Sequence, residues 1–186
     1  MTTMTNYHQT AQSIQEEEAW ILAAKENPSA FGALYNKYYE AILKFIYIRI
    51  DNKEVAYDLT QQVFLSGMRR IGDYQFRGVP YSAYLYRVAM NELNQYFRNA
   101  KKFRSVNLDS VQLEEVALEV EAAEHAENHQ LLAKKLTQLS SADFLLIEMR
   151  FFEKRPFKEI AEILEITENN AKVKTYRALD RLKSLF

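Results

Sequence analysis

From Phe31 onward apolar side chains return every three or four positions. Phe31, Leu34, Tyr35, Tyr38, Ile42, Phe45 and Ile46 share one side of a helix. Asn27 and Pro28 precede them as a capping residue and a first-turn proline, so the stripe predicts a core helix. Residues 53–71 predict a second helix, with Ala56, Leu59, Val63, Phe64, Met68 and Ile71 spread over a broad apolar side. Asp58, Gln61, Gln62, Leu65 and Arg69 gather opposite. A leucine ringed by an acid, two amides and a base has the apolar centre and polar rim of a protein interface. A solvated face with one stray leucine has the same pattern.

Residues 81–104 give the clearest division. Leu85, Tyr86, Ala89, Met90, Leu93 and Phe97 lie on one side, and Tyr84, Arg87, Asn91, Asn94, Arg98, Lys101 and Lys102 run down the other. Five Lys and Arg stand against the single acid Glu92, a strip suited to a phosphate backbone, with amides and a Tyr ring available for bases. The segment before it, 75–82, carries Phe76, Arg77 and Tyr81 in a loop opened by Gly78 and stiffened by Pro80. Aromatic rings beside cations suit unstacked single-stranded bases, each stacked base contributing ~1–3 kcal/mol. Core packing of Phe76, Tyr81 and Tyr84 is the plain alternative.

Toward the C-terminus, Leu131, Leu132, Leu136 and Leu139 form a short amphipathic helix, and Ser140 with Asp143 resembles a capping box opening a helix over 142–152. A helix over 157–164, a turn at 165–167 and a helix over 168–185 follow, which is a helix-turn-helix pattern. Phe157, Ile160, Ala161, Leu164, Ile166, Ala171, Leu179 and Leu182 would fill its core. Asn169, Asn170, Lys172, Val173, Lys174, Arg177 and Arg181 remain for the outer face of the last helix. Amides suit adenine edges, cations suit guanine or phosphate, and a branched apolar group suits a thymine methyl.

Composition narrows the fold to all-α. Four Gly and three Pro in 186 residues are too few for the turns of a β-sandwich, and no Asn-Gly or Asp-Gly pair signals a hairpin. The absence of Cys removes disulfide frameworks and thiolate chemistry, and fits a reducing cytoplasm. No apolar run approaches the ~20 residues of a membrane span, and the first 13 residues lack a signal-peptide pattern, so neither insertion nor export is expected. His125 and His129 stand one helical turn apart without a third ligand, so no metal or other cofactor is expected.

Charge divides the chain. Residues 1–104 carry 13 basic and 10 acidic groups, residues 105–133 none and seven, and residues 134–186 carry 11 and eight. Two mildly basic helical domains, 15–104 and 128–186, are therefore expected around an acidic linker at 105–127.

Three segments together carry a family resemblance. The run from Asp58 to Phe64 (DLTQQVF), the helix from Tyr84 to Asn91 (YLYRVAMN) with Arg98, and the C-terminal pair FKEIAEIL and NAKVKTYRA resemble a bacterial RNA polymerase sigma factor of the extracytoplasmic-function type. The resemblance covers about residues 17–186 and implies a non-enzymatic protein whose partners are core RNA polymerase, through the β′ clamp and β flap, promoter DNA and an anti-sigma factor. It implies polymerase binding for Asp58, Gln61, Gln62, Leu65 and Arg69. Minus-ten recognition and melting would fall to Phe76, Arg77, Tyr81, Tyr84, Arg87, Asn91, Asn94, Arg98, Lys101 and Lys102. Minus-thirty-five recognition would fall to Asn169, Asn170, Lys172, Val173, Lys174, Arg177 and Arg181.

The chain departs from the family pattern at Gln62, Tyr84, Gln95, Pro156 and Glu165. A left-handed Glu165 costs about 1 kcal/mol relative to Gly, which favours a different turn there. A stand-alone helix-turn-helix regulator with a helical dimerisation or sensor domain is the alternative reading, and a helical adaptor without nucleic acid is a third.

The linker charge makes a prediction. Seven carboxylates between two basic readers weaken DNA binding by the free protein, provided they fold back within the ~8 Å Debye length of physiological salt. Changing Glu114, Glu115, Glu119, Glu121 and Glu124 to Gln should tighten promoter binding without polymerase, with the gain shrinking as salt rises. Unchanged affinity at low salt leaves the linker a spacer.

Overall fold

Asn27 accepts hydrogen bonds from the Ser29 amide (3.0 Å) and hydroxyl (2.8 Å), as its capping role requires. The turn that it opens is a single 3-10 turn, Pro28–Phe31, before the expected helix begins. This computed structural model describes residues 11–50, 52–100 and 126–186, which divide into two compact units, 11–100 and 126–186. The expected acidic linker falls mainly on residues outside those described.

The first unit holds α1 (Ala11–Glu26), α2 (Gly32–Tyr47), α3 (Lys53–Arg70) and α4 (Tyr81–Ala100). Asn52 caps α3 by accepting from the Val55 amide at 3.1 Å. Of the predicted α2 stripe every residue is buried except Tyr35, which is 37% exposed. Leu85, Tyr86, Ala89 and Leu93 of α4 are buried as expected, while Met90 and Phe97 are half-buried. At Gly67 of α3 a Cβ would stand 3.0 Å from the Leu85 side chain, so the missing side chain lets α3 and α4 approach closely. No aliphatic stripe announces α1, and its Glu17 is fully buried. The Glu17 carboxylate accepts from the Tyr81 amide on α4 and the Tyr38 hydroxyl on α2, and pairs with Lys37 at 2.8 Å. A buried carboxylate is costly unless hydrogen-bonded and paired; this one has three donors.

The second unit holds α5 (Ala126–Leu136), α6 (Ser141–Ile147), α7 (Phe157–Leu164) and α8 (Glu168–Lys183). Ser140 caps α6 through the Asp143 amide at 3.1 Å. The helix expected over 142–152 leaves α-geometry after Ile147, and a π-turn, Glu148–Phe152, completes it, closed by the bond from the Glu153 amide to the Glu148 carbonyl at 2.9 Å. The widened turn leads into Arg155, which is fully buried and pairs with Glu153 and Glu159. Pro156 supplies no side-chain cap to α7, but the Glu159 carboxylate in its first turn is favourable to the helix N-terminus. Thr167 caps α8 by accepting from the Asn170 amide at 3.2 Å.

The turn between α7 and α8 corrects the expectation of a different geometry. Glu165 is left-handed, φ 54° and ψ 43°, and the Ile166 amide reaches back to the Ala161 carbonyl at 3.0 Å. That closure satisfies a helix-end carbonyl, and it holds despite the side chain at Glu165. Glu165→Gly should therefore raise unfolding stability by about 1 kcal/mol in denaturant melts followed by helical circular dichroism. An unchanged or lower midpoint would show that Glu165 carries no such strain.

Candidate nucleic-acid and protein interfaces

The outer face of α3 is set by which residues its neighbours cover. Ala56, Leu59, Thr60, Val63, Phe64 and Gly67 are buried, the Thr60 hydroxyl being satisfied by the Ala56 carbonyl at 2.7 Å. One face over, Asp58, Gln61, Gln62, Leu65 and Arg69 are all exposed, with Leu65 exposed by 46%. Beside this face lies Tyr35, which the α2 periodicity had assigned to the core and which is exposed. The ring of Tyr35 stands 4.8 Å from Phe64 and 5.1 Å from Tyr39. Burial, together with the neighbouring phenols Tyr35 and Tyr57, raises the Tyr39 pKa above the ordinary phenol value, so Tyr39 stays neutral.

The second face runs from the loop at 74–80 along α4. Gly78 takes φ 67°, a conformation that glycine adopts without strain, and Val79 and Pro80 are buried anchors. Phe76 is half-buried and Arg77 exposed. Tyr84 and Arg87 are half-buried, with the Arg87 guanidinium 5.4 Å from the Tyr84 ring centre. Asn91, Asn94 and Arg98 are exposed, and with Gln95 and Phe97 they line an open groove. Lys101 and Lys102 lie outside the described residues.

Tyr81 departs from its expected place on this face. It is fully buried, its hydroxyl donates to the Gly67 carbonyl at 3.1 Å, and burial first, then Tyr84 and Tyr74, push its pKa far up. Its ring supports others: Tyr74 stands 4.8 Å away and Tyr84 5.5 Å away. Tyr74, 5.4 Å from Tyr84, therefore belongs with the aromatic surface, and only its place one residue before the aromatic loop marked it.

The third face is on α8. Asn169, Asn170, Lys172, Val173, Lys174 and Arg177 are exposed, while Ala171, Thr175, Ala178, Leu179 and Leu182 are buried. Tyr176 joins this face, 46% exposed and 6.0 Å from the Phe157 ring, over which Arg150 lies at 4.6 Å. Arg181 is the exception in the expected set. Its guanidinium makes a two-pronged contact with the Asp143 carboxylate, Nε to Oδ2 at 2.9 Å, and so ties α8 to the start of α6. Arg181 stays exposed while so paired.

Comparison with known proteins agrees with these two units. Residues 34–103 match Sigma-70 region 2, and residues 129–182 match Sigma-70, region 4. The ECF RNA polymerase sigma factor BldN of Streptomyces coelicolor is 29% identical over 160 residues, which is 84% of this chain and 60% of BldN. The ECF RNA polymerase sigma factor SigM of Bacillus subtilis is 26% identical over 82% of this chain and 93% of its own length. Among solved structures, CnrH in complex with the cytosolic domain of CnrY has a TM-score of 0.62 over 91% of this chain and 96% of that one, at 19% identity, a likeness of fold. Two helical units matching Sigma-70 regions 2 and 4 define a DNA-binding transcription protein. The chain belongs to the sigma-70 family, as an extracytoplasmic-function sigma factor. No helix among the described residues is long and apolar enough to cross a membrane.

The Asp143–Arg181 contact predicts a pH dependence. The hydrogen bond from Arg181 is the leading cause that lowers the Asp143 pKa below the ordinary carboxylate value. A depressed folded-state pKa contributes stability that is present above the unfolded value, near 3.9, and is lost as pH falls through the folded value. Asp143→Asn should therefore be less stable than the parent at pH 7 and converge with it in strong acid. Because Arg181 is exposed, the difference should also shrink with salt. Equal melting midpoints at pH 7 and low salt would contradict the contact.

Proposed function

We propose that this chain confers promoter recognition on core RNA polymerase through three separate faces. The outer face of α3 docks on the β′ clamp, with Leu65 as the apolar centre and Asp58, Gln61, Gln62 and Arg69 as its rim. The observation that carries this reading is Leu65, an exposed leucine among polar residues within the segment matching Sigma-70 region 2.

In the same proposal residues 15–104 form the polymerase-binding and minus-ten domain, 105–127 a linker, and 128–186 the minus-thirty-five domain held near the β flap. Tyr84 and Tyr74 offer stacking surfaces for unpaired bases, Arg87 and Arg98 offer cations, and Asn91 and Asn94 offer amides. Phe76 and Arg77 stand at the loop edge, and Lys101 and Lys102 extend the basic run. Unstacking a base costs a few kcal/mol, and its capture on an aromatic surface offsets that cost. On α8, Asn169, Asn170, Lys172, Val173, Lys174 and Arg177 face the upstream duplex, and Tyr176 adds a ring beside them.

Neither reader needs to be strong alone. Two modules held on one polymerase raise overall affinity by ~100- to 10,000-fold without new contacts. The chain supplies recognition and performs no bond chemistry; the polymerase supplies the reaction. An anti-sigma factor is its regulatory partner and the cytoplasm its compartment, as the family resemblance implies; CnrH, similar in fold, is in complex with the cytosolic domain of CnrY.

Leu65→Arg tests the docking face. Core binding should weaken at least about tenfold while helicity is unchanged, the scale of losing one central interface residue. Wild-type core affinity in that variant removes the face from the account. A duplex footprint by the free chain equal to that with polymerase would favour a stand-alone regulator.

A further inference from the structure

Glu17 stands outside every recognition face, precedes both matched segments and is fully buried. Its two carboxylate oxygens serve different elements. Oε2 takes the Tyr38 hydroxyl and the Lys37 ammonium, both on α2. Oε1 takes the amide of Tyr81, the first residue of α4. That amide is one of the helix-start donors that no carbonyl within α4 can satisfy, and a negative charge there also meets the positive end of the helix dipole. Pro80, just before it, accepts from the Ala83 amide with its carbonyl at 3.0 Å, but its hydrocarbon side chain has no acceptor with which to cap the Tyr81 amide. The cap on α4 comes from a residue 64 positions away.

Tyr81 is consequently held at both ends. Its backbone is tied to α1, and its hydroxyl to the Gly67 carbonyl on α3 at 3.1 Å. Its ring packs against those of Tyr74 and Tyr84, which also touch each other at 5.4 Å, with Phe31 edge-on at 6.1 Å. The loop at 74–80 ends at this residue, and Tyr84 and Arg87 follow one and two turns later. Any movement of the start of α4 shifts the whole aromatic edge, whereas the exposed face of α3 lies on a different helix.

We propose that Glu17 is a positioning residue for strand opening: by capping α4 from α1 it fixes the Tyr74–Tyr84 edge against which unpaired bases stack. This rests on the proposed promoter-melting role of that edge. Polymerase docking does not depend on it.

The test compares Glu17→Ala and Glu17→Gln with the parent, each as the full chain with core polymerase. Three quantities are read: core affinity, permanganate reactivity of promoter thymines on duplex DNA, and transcription from a template with the minus-ten region already unpaired. Glu17→Ala should retain core affinity within about twofold and lose about tenfold in opening, the scale of removing one charged hydrogen-bond partner. Transcription from the unpaired template should stay near the parent level. Glu17→Gln, which keeps one acceptor oxygen, should lie between. Parent-level opening in Glu17→Ala overturns the proposal. So does a parallel loss of core affinity and opening, or a failure of both variants to fold, since Glu17 would then be a general stabiliser. A parent chain that opens no promoter with core refutes the sigma-factor reading itself, a result separable from any behaviour of the variants.

Discussion

The carboxylate of Glu17 lies where α1, α2 and α4 meet, and the point at which α4 begins depends on its being satisfied there. Taking a charge out of water costs several kcal/mol, and removing one partner of such a cluster leaves the rest buried and uncompensated. Three donors from two helices offset that cost, and each fixes a geometry: Lys37 and Tyr38 set where α1 lies on α2, and the Tyr81 amide sets where α4 begins. The second unit uses the opposite sign. Arg155, fully buried after the π-turn, pairs with Glu153 and with Glu159 of α7, so a buried cation fixes how the helix-turn-helix is entered. Aliphatic packing supplies most of the burial in both units, but it is less directional than these ionic contacts.

The abundant tyrosines then divide into two roles. Tyr38 and Tyr81 are buried and spend their hydroxyls on Glu17 and on the Gly67 carbonyl. Tyr74 and Tyr84 are half-buried, packed against Tyr81 on one side and open on the other. A ring whose position is fixed by a buried neighbour loses little conformational freedom when a base stacks on it, which is the benefit of preorganisation in binding. The basic side chains show a similar division. Arg177 faces outward on α8, while Arg181, one turn on, is held by Asp143.

Much of the fold was legible from spacing. The α2, α3 and α4 stripes, the Ser140 cap and the two helices of the C-terminal pair follow from periodicity and capping residues, which are local signals. The helical face of α3 was legible for the same reason, since five polar-side residues sharing one face need only 100° per residue. What was not legible depends on partners distant in sequence. Tyr81 reads as a surface aromatic until Gly67 and Glu17 are seen beside it. Spacing likewise gives no sign that Arg181 is paired with Asp143, 38 residues earlier. Glu165 was expected to avoid the left-handed conformation, and the closure of Ile166 onto Ala161 outweighs its side-chain penalty. Tyr176 was missed because pattern reasoning weighed charge and amides on α8 and passed over an aromatic on the same face.

The central claim is that these faces act together on one polymerase. Run-off transcription with purified core polymerase, this chain and a promoter library selected with the holoenzyme tests it most directly. Discrete transcripts from particular promoters that need both the chain and core are the predicted result. Core-dependent transcription unchanged by adding the chain, while the chain still binds the selected duplexes alone, would contradict the account.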